Sequence, residues 1–517
     1  MEIVETEVLV IGGGATGAGV ARDAAMRGFK TVLVDRNDLA MGTTGRFHGL
    51  LHSGGRYAVK DPPSAVECMD ENRVLRRIAA DAIEDTGGLF VSTPWDDPAY
   101  SDLFHSGCIE AGIPVEALST AEILKREPRL NQRISGGFAV PDGAIDAWKT
   151  VWGCALSARE HGATVLNYHR VTAIHRTDGV VTGATAIDET SGEEVAISAG
   201  FIVNASGVWA GGVAGFAGCP GVSVLPGKGI MIAMSHRLVH TVVNRCKKPA
   251  DGDILVPIRT VSVIGTTDTE ADGPDDVAIP QDEVQLLLEE GEKLVPGFRR
   301  ARALRVWAGS RPLVKDDRAS EDDTREMSRA FALIDHKERD GVEHFLTITG
   351  GKFTTFRKMA EVTVDRMCEH LGTVRDCRTA HEMLPDSEEH RFYWLGARLA
   401  RREETLNDDQ LICECELISR RRLEEAMEQR HTQNLDDIRR TLRLAMGPCQ
   451  GGFCIYRATG ILHSVERLDH SAANSALMRF LQERWKGVGP ILYGDQLRQA
   501  RLDDWIFQGL LDVEHLP

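Results

Sequence analysis

Three glycines between two apolar elements constrain the fold of this chain more than any other feature. Residues 5–11 (ETEVLVI) predict a fully buried strand, residues 15–28 a helix of small side chains, and residues 30–35 a second strand. The glycines of the first turn are Gly12, Gly14 and Gly17. In such a unit the helix N-terminus holds a pyrophosphate, and a carboxylate ending the second strand, here Asp35, accepts hydrogen bonds from a ribose. The spacing predicts a Rossmann-like β-α-β core that binds a dinucleotide.

Two further glycine turns favour FAD as that dinucleotide. The runs 204–207 (NASG) and 350–352 (GGK) follow apolar strands far along the chain, whereas an NAD domain carries its fingerprint in one compact unit. The later turn opens a predicted helix over 353–371, whose N-terminal amides would face the flavin edge that becomes negative on reduction. The arrangement resembles the glycine-oxidase-like FAD fold. The predicted FAD-binding residues are Gly12, Gly14, Gly17, Asp35, Arg36, Thr43, Thr44, Ser206, Gly207, Gly350, Gly351 and Lys352.

A basic and aromatic run follows the second strand. Residues 45–57 (GRFHGLLHSGGRY) place two histidines, two arginines and a tyrosine among glycines. Together with residues 307–314 (WAGSRPLV), 328–329 (SR) and 350–355 (GGKFTT), this run resembles the FAD-dependent glycerol-3-phosphate dehydrogenase family. The forms GRxHGLLHSGxRYAV and CQGxxC are similar to those of the catalytic A-subunit of its anaerobic members. The resemblance covers essentially the whole chain.

The resemblance implies a set of residues that contact the substrate. They are His52, Arg56, Tyr57, Arg311, Arg329 and Lys352. A phosphate dianion needs several guanidinium groups in a chain whose net charge is −17. Oxidation of a secondary alcohol also needs a base for the hydroxyl proton, and His52 is the first candidate and His48 the second. One departure bears on this base: aerobic relatives carry a histidine shortly after a Lys-Gly pair, whereas residues 228–231 here are KGIM.

Four of the eleven cysteines form two tight pairs near the end of the chain. They are Cys413, Cys415, Cys449 and Cys454. Four thiolates on two short loops suit a Cys₄ cluster, and amphipathic helices predicted at 417–429 and 435–446 would bring the loops together. The pattern resembles the bacterioferritin-associated ferredoxin fold, which implies a [2Fe–2S] cluster, although the second pair is more widely spaced than that family's usual CxxC. Tetrahedral Zn²⁺ is the alternative.

The predicted fold is an α/β (α+β) FAD-binding domain of glycine-oxidase-like type with an inserted mixed-sheet substrate domain, followed by a small helical iron–sulfur domain. The predicted boundaries are 1–375 for the FAD-binding and substrate domain, 376–409 for a charged linker, 410–462 for the [2Fe–2S] domain and 463–517 for a helical tail. No apolar run is long enough to cross a bilayer. The acidic net charge disfavours nucleic acid as a partner.

Two functional hypotheses follow. The resemblance implies oxidation of sn-glycerol 3-phosphate to dihydroxyacetone phosphate, with electrons passing through the cluster to partner subunits B and C and then to a quinone. It also implies a cytoplasmic chain associated with the membrane peripherally, through those subunits. The second hypothesis is a related amine or 2-hydroxy-acid oxidoreductase of the same fold. The arginine set separates the two, because a carboxylate monoanion needs one guanidinium fork and a phosphate needs more.

Overall fold

The computed structural model describes residues 2–314, 330–405, 409–430, 434–465 and 468–515. Two large sheets, each with its own apolar core, are followed by a helical part that carries the cysteine pairs. We refer to residues up to 405 as the N-terminal region and to residues from 409 onwards as the C-terminal region.

The strands of the described ranges are, in chain order, β1 (Glu2–Ile11), β2 (Thr31–Val34), β3 (Leu50–Leu51), β4 (Ile83–Glu84), β5 (Gly88–Val91), β6 (Glu116–Leu118), β7 (Gly137–Val140), β8 (Gly143–Ile145), β9 (Thr164–Leu166), β10 (His169–Thr177), β11 (Val180–Asp188), β12 (Glu194–Asn204), β13 (Val224–Ser235), β14 (Val242–Arg245), β15 (Ile254–Ile258), β16 (Val261–Gly265), β17 (Thr269–Glu270), β18 (Ala303–Val314), β19 (Phe331–Asp335), β20 (Phe345–Gly350), β21 (Leu411–Cys413) and β22 (Ile418–Ser419).

The α-helices of the same ranges are α1 (Ala15–Met26), α2 (Pro62–Ile78), α3 (Tyr100–Glu110), α4 (Thr120–Arg126), α5 (Ala147–Glu160), α6 (Ala210–Phe216), α7 (Gln281–Leu294), α8 (His336–Asp340), α9 (Phe356–His370), α10 (Leu395–Thr405), α11 (Arg420–Arg430), α12 (Leu435–Leu442), α13 (Ile455–Val465), α14 (His470–Trp485) and α15 (Gly494–Asp504).

The first sheet is built around β1. This strand pairs in parallel with β2 and β12, while β2 pairs in parallel with β9 and β12 with β20. Val8, Leu9 and Val10 of β1 are fully buried because the sheet is covered on both faces, as a continuous apolar run predicts. Small residues let helix α1 pack close to α5 and α9, and a Cβ on Gly19 would lie 3.1 Å from Phe356. The predicted β-α-β unit is therefore present.

The second sheet is mixed. Its strand order is β17-β13-β16-β15-β14-β5-β7-β6, and β18 lies along the other edge of β13. Strands β13 and β18 are long antiparallel partners, with Val224 opposite Val314 at one end and Met234 opposite Ala303 at the other. Helix α7 packs Val284 and Leu287 into the core of this sheet. This mixed sheet corresponds to the predicted substrate part.

The chain between α9 and α10 runs along the surface of the first sheet's helices. Arg22 of α1 donates to the carbonyl oxygens of Thr379 (3.3 Å) and Glu382 (2.7 Å). Leu384 is buried in the first core, and the Tyr393 amide donates to Ile83 O at 2.8 Å. The predicted domain boundaries themselves stay a prediction.

The C-terminal region has a core of its own, and the segment after α14 returns to the N-terminal region. Helices α11 to α14 surround a cluster that includes Leu423, Ile438 and Phe480. Beyond α14, Ile491 is buried in the core of the second sheet. The amide of Val306 on β18 donates to Gly487 O at 2.9 Å. The segment around Ile491 therefore completes a core that begins far earlier in the sequence.

Candidate functional site

The first glycine turn leaves no room for a side chain at Gly12 or Gly17. Gly12 has φ +109°, and a Cβ there would lie 2.7 Å from Ala205 O. A Cβ on Gly17 would lie 1.7 Å from Gly12 O, so that helix α1 can approach the turn only without a side chain. The amides at the start of α1 point toward the turn, where the amide of Ala15 donates to Thr44 Oγ1 at 3.0 Å. This is the geometry that a pyrophosphate requires.

A large cavity extends from this turn. Its volume is about 730 Å³. All twelve predicted FAD-binding residues except Gly17 line it, namely Gly12, Gly14, Asp35, Arg36, Thr43, Thr44, Ser206, Gly207, Gly350, Gly351 and Lys352. Three turns that are far apart in the sequence therefore meet at one elongated space. Its volume falls in the usual range for small-molecule and cofactor sites.

Asp35 closes one part of the cavity. Its Oδ2 accepts from the Gly13 amide (2.6 Å) and its Oδ1 from the Asn37 amide (2.8 Å). Burial raises the pKa of Asp35 to about 6, against the lowering effect of these two amides. The carboxylate lies at the end of β2, where an acceptor for ribose hydroxyls is expected.

Sequence reasoning missed an aromatic group in this cavity. The Arg36 guanidinium stacks over the Trp209 ring, with 4.3 Å between its carbon and the ring centroid. Asp275 accepts from both Arg36 (2.8 Å) and the Trp209 indole N–H (3.2 Å). A planar ring of this kind suits an adenine. Trp209 follows the predicted turn at 204–207 closely enough to have been a candidate, whereas Asp275 is brought there only by the fold.

The last glycine turn lies at the other end of the cavity. Gly350 and Gly351 have φ +82° and +71°, and a Cβ on Gly351 would lie 2.6 Å from Met359 Sδ. Helix α9 begins soon afterwards at Phe356, close to the predicted start. Its N-terminal end supplies positive potential at this end of the cavity. The N-terminal ends of α1 and α9, the Asp35 carboxylate and the elongated cavity together fit a flavin dinucleotide.

The predicted substrate residues converge beside this end of the cavity. The ring centroids of His48 and His52 are 6.3 Å apart, and those of His52 and Tyr57 are 5.3 Å apart. Lys352 Nζ lies 5.3 Å from the Tyr57 ring centroid. Lys352 also donates to Ser64 Oγ at 3.1 Å. Arg329 and its neighbour Ser328 lie outside the described residues.

Both histidines lie in surroundings that favour the neutral imidazole. Burial lowers the pKa of His52 well below its usual value, and the positive charges of Arg56 and Lys352 lower it further. Burial and the charge of Arg56 lower the pKa of His48 to about 3. His48 Nδ1 accepts from the Leu50 amide at 3.2 Å, which leaves its other nitrogen as the donor. His52 is therefore the better placed of the two to accept a proton.

The two described arginines of the set have protein partners. Arg56 Nη1 lies 2.9 Å from Asp253 Oδ1, and although burial opposes the charge, Asp253 raises the pKa of Arg56. Arg311 Nη1 lies 2.9 Å from Asp268 Oδ1, and Nη2 donates to Thr267 O at 2.8 Å. Arg311 is therefore anchored to the loop before β17. Ile230, which follows the Lys228–Gly229 pair directly, is fully buried.

The four paired cysteines form a closed ring of thiols. Cys413 Sγ and Cys415 Sγ are 3.7 Å apart, and each thiol is hydrogen-bonded to two others. The hydrogen bonds from Cys415 and Cys454 lower the pKa of Cys413 to about 3, and Cys415 and Cys454 lower that of Cys449 to about 2. Thiolates at this spacing are the ligands that a Cys₄ site needs.

Buried ion pairs and hydrogen bonds join helix α12 and the residue that follows it to the N-terminal region. Arg440 Nε lies 2.7 Å from Asp38 Oδ2, and Tyr168 donates to Asp437 at 2.6 Å. Arg443 lies 3.6 Å from Asp146. A second cavity of about 230 Å³ lies at this boundary and shares Met41, Thr44, Arg46 and Phe47 with the first. The cysteine ring is thus docked beside the flavin-binding cavity.

Comparison with known families identifies the class. A family model described as FAD dependent oxidoreductase matches residues 7–366, and one described as BFD-like [2Fe-2S] binding domain matches residues 411–464. The chain is an FAD-dependent oxidoreductase with a second, iron–sulfur redox centre. The predicted cofactors are confirmed, and the match favours the cluster over the zinc alternative.

Curated relatives narrow the class to a family. The chain is 42% identical to the A-subunit of the anaerobic glycerol-3-phosphate dehydrogenase of Escherichia coli K12, over 98% of this chain and 97% of that protein. It is also 42% identical to the A1-subunit of the Haloferax volcanii enzyme, over 99% of this chain and 91% of that protein. The chain belongs to the family of anaerobic glycerol-3-phosphate dehydrogenase A-subunits. The predicted family is confirmed.

Solved structures support the predicted fold class. The glycerol-3-phosphate dehydrogenase of Bacillus halodurans complexed with FAD superposes with a TM-score of 0.68 at 21% identity, covering 95% of this chain and 96% of that one. Glycine oxidase from Bacillus cereus superposes with a TM-score of 0.55 at 19% identity, covering 73% and 98%. The glycine-oxidase-like fold is confirmed. Within the described ranges, no helix combines the length and apolarity that a membrane span needs.

Proposed function

We propose that this chain catalyses the FAD-dependent oxidation of sn-glycerol 3-phosphate to dihydroxyacetone phosphate. The observation that carries the proposal is the convergence of His52, Arg56, Tyr57 and Lys352 beside the FAD cavity. The substrate named for relatives with 42% identity over nearly the whole chain supports the same choice. A phosphate dianion and a secondary hydroxyl are the two groups that this set of side chains can recognise.

The basic residues hold the phosphate. Arg56 and Lys352 contribute positive charge within a largely buried space, where charge-assisted hydrogen bonds are strong. Tyr57 adds a hydroxyl donor. Arg311 and Arg329 complete the proposed set, with Arg311 oriented by Asp268. Binding of a dianion among these groups offsets the repulsion from an acidic chain.

His52 takes the hydroxyl proton. Its depressed pKa keeps the imidazole neutral at neutral pH, so that a nitrogen lone pair is available. When bound, FAD supplies the N5 atom that accepts the hydride from C2. The phosphate dianion placed beside the imidazole stabilises its protonated form, which strengthens His52 as a base when substrate is present.

Electrons leave through the C-terminal region. We propose that the cluster held by the four cysteines passes them to partner subunits B and C and from there to a quinone. The relatives are each named as one lettered component of a larger enzyme, which supports an assembly of several subunits. In this proposal the chain is cytoplasmic and associates with the membrane peripherally, through its partners.

An absorbance spectrum of anaerobically purified chain tests the proposal. Flavin and iron–sulfur bands should both be present, and the flavin band should bleach on addition of glycerol 3-phosphate. Glycerol tests the need for the phosphate, and glycine and lactate test the amine and 2-hydroxy-acid alternatives. Bleaching by glycine or lactate at a comparable rate, or none with glycerol 3-phosphate, would contradict the proposal.

A further inference from the structure

Two guanidinium groups bind the loop that carries Cys449. Arg302 Nη2 donates to the carbonyl oxygen of Pro448, and Arg484 Nε donates to that of Gln450. These carbonyls lie immediately before and after Cys449. Arg302 belongs to the N-terminal region, one residue before β18, whereas Arg484 lies near the end of α14. One loop of the cysteine site is thus held from both regions.

The same loop directs amides at the sulfur. The backbone N–H groups of Gly451 and Phe453 donate to the Cys449 thiolate. The Gln450 carbonyl and the Gly451 amide belong to one peptide group, so Arg484, by binding that carbonyl, also fixes the orientation of the Gly451 amide. Hydrogen bonds to cysteine sulfur are one of the factors that set the potential of an iron–sulfur cluster.

The charges around this loop are unbalanced in favour of cations. Asp503 on α15 lies 3.2 Å from Arg484 and abuts Gly452, where a Cβ would lie 2.5 Å from its Oδ1. Arg302 is bound instead by neutral groups, including Gln499 Oε1 at 2.9 Å. Burial lowers the pKa of both arginines, while Asp503 and the Cys449 thiolate counteract that shift. Counted with Arg439 and Asp495, whose charges also act on these two arginines, three cations and two carboxylates surround this edge of the cysteine ring.

We propose that Arg302 and Arg484 raise the reduction potential of the cluster, with Arg302 giving the N-terminal region a direct influence on it. A cluster gains one negative charge on reduction, so that nearby cations stabilise the reduced form more than the oxidised form. This inference deepens the proposed relay and rests on it. A higher potential makes the cluster a better acceptor for electrons from the flavin side.

The test is a dye-mediated redox titration of the full chain, prepared anaerobically and measured without glycerol 3-phosphate. The electron paramagnetic resonance signal of the reduced cluster reports the fraction reduced at each potential. Arg302→Gln and Arg484→Gln should each lower the midpoint potential. The ratio of reduced to oxidised cluster at a given potential should fall about tenfold, equivalent to about 59 mV for one electron. Arg302→Lys keeps the charge and should stay near the parent. Arg300→Gln, at an exposed arginine two positions away, is the matched control and should not change the potential.

A variant that should shift the midpoint potential in the opposite direction keeps the test decisive if a glutamine variant incorporates too little cluster to be titrated. Asp503→Asn removes the carboxylate and should raise the potential. Unchanged potentials in both arginine variants, or a fall in Asp503→Asn, would overturn the inference while leaving the relay intact. A parent chain without any cluster signal would overturn the relay and the inference together. Because no substrate is present, failure to oxidise glycerol 3-phosphate cannot imitate either outcome.

Discussion

The two redox sites of this chain are built in opposite ways. The FAD cavity is formed mainly by backbone turns, and its parts come from Gly12, Ser206 and Gly350, which are far apart in the sequence. The cysteine ring is formed by four side chains on two short loops of one small region. The first site depends on strands and turns spread over the whole first sheet, whereas the second is built on a local helical core and receives contacts from the N-terminal region at its edge. Their dependence on the rest of the fold should differ accordingly.

The largest expected effect is the loss of flavin in Gly14→Arg. The new side chain would fill the space reserved for the pyrophosphate, where even a Cβ would lie 3.2 Å from Thr44 Oγ1. Protein-bound flavin should fall to near zero, measured by absorbance after denaturation. Gly460→Arg is the control, because a Cβ there meets nothing within 4 Å. Iron should stay at the parent level in both. Loss of iron together with flavin would mean that the two sites do not assemble separately.

The converse variant is Cys413→Ser combined with Cys415→Ser. Two of four ligands are removed, so the cluster should not assemble and iron should be absent by metal analysis. Stopped-flow reduction of FAD by glycerol 3-phosphate should stay near the parent rate, while turnover with partner subunits is lost. If both rates fall equally, the cysteine region acts as a structural brace for the flavin site. Zinc without iron in the anaerobically prepared parent would also contradict the relay.

His52→Gln tests the N-terminal site alone. Loss of a general base should slow flavin reduction by about 10²–10⁴-fold. Because the pKa of His52 is depressed, the base is lost only when the pH falls through that low value, so the parent rate should be flat near neutrality and decline in acid. In His52→Gln this decline should disappear. The cluster potential should not change. A variant with the parent rate would shift the assignment to His48 or to a water molecule.

Arg311→Ala should have the smallest effect of the four. Loss of a charge-assisted hydrogen bond costs about 1.5–3 kcal/mol, so KM for glycerol 3-phosphate should rise roughly 10- to 100-fold with flavin content unchanged. Asp268→Asn separates phosphate binding by Arg311 from a purely structural role in holding the loop. It removes the carboxylate partner of Arg311 and leaves the guanidinium in place. If Arg311 contacts phosphate, Asp268→Asn should raise KM much less than Arg311→Ala, because the asparagine oxygen can still accept from the guanidinium and orient it. If both variants raise KM equally, Arg311 only holds the loop. An unchanged KM in Arg311→Ala would remove it from the pocket.

The difference between the two sites also explains what the sequence could predict. Glycines at strand ends and paired cysteines are local signals, because turn geometry and metal ligation each require particular residues at fixed spacing. The meeting of Arg36, Trp209 and Asp275 depends on how separate segments fold together, and no local pattern contains it. The contact of Arg302 with the cysteine loop is of the same kind. Burial, which sets the pKa of His52, also appears only in three dimensions.

The docking of Gly487 against β18 has a consequence for the order of synthesis. The Val306 amide finds its partner in Gly487, and the core of the second sheet is closed by Ile491. At about 5–20 residues per second, a ribosome needs on the order of 10–40 s to travel from Val306 to Gly487. During that interval the nascent chain carries an unfinished core. A message truncated before codon 487 would therefore yield a product with exposed apolar surface. Proteases and chaperones can recognise that surface before FAD or the cluster is incorporated.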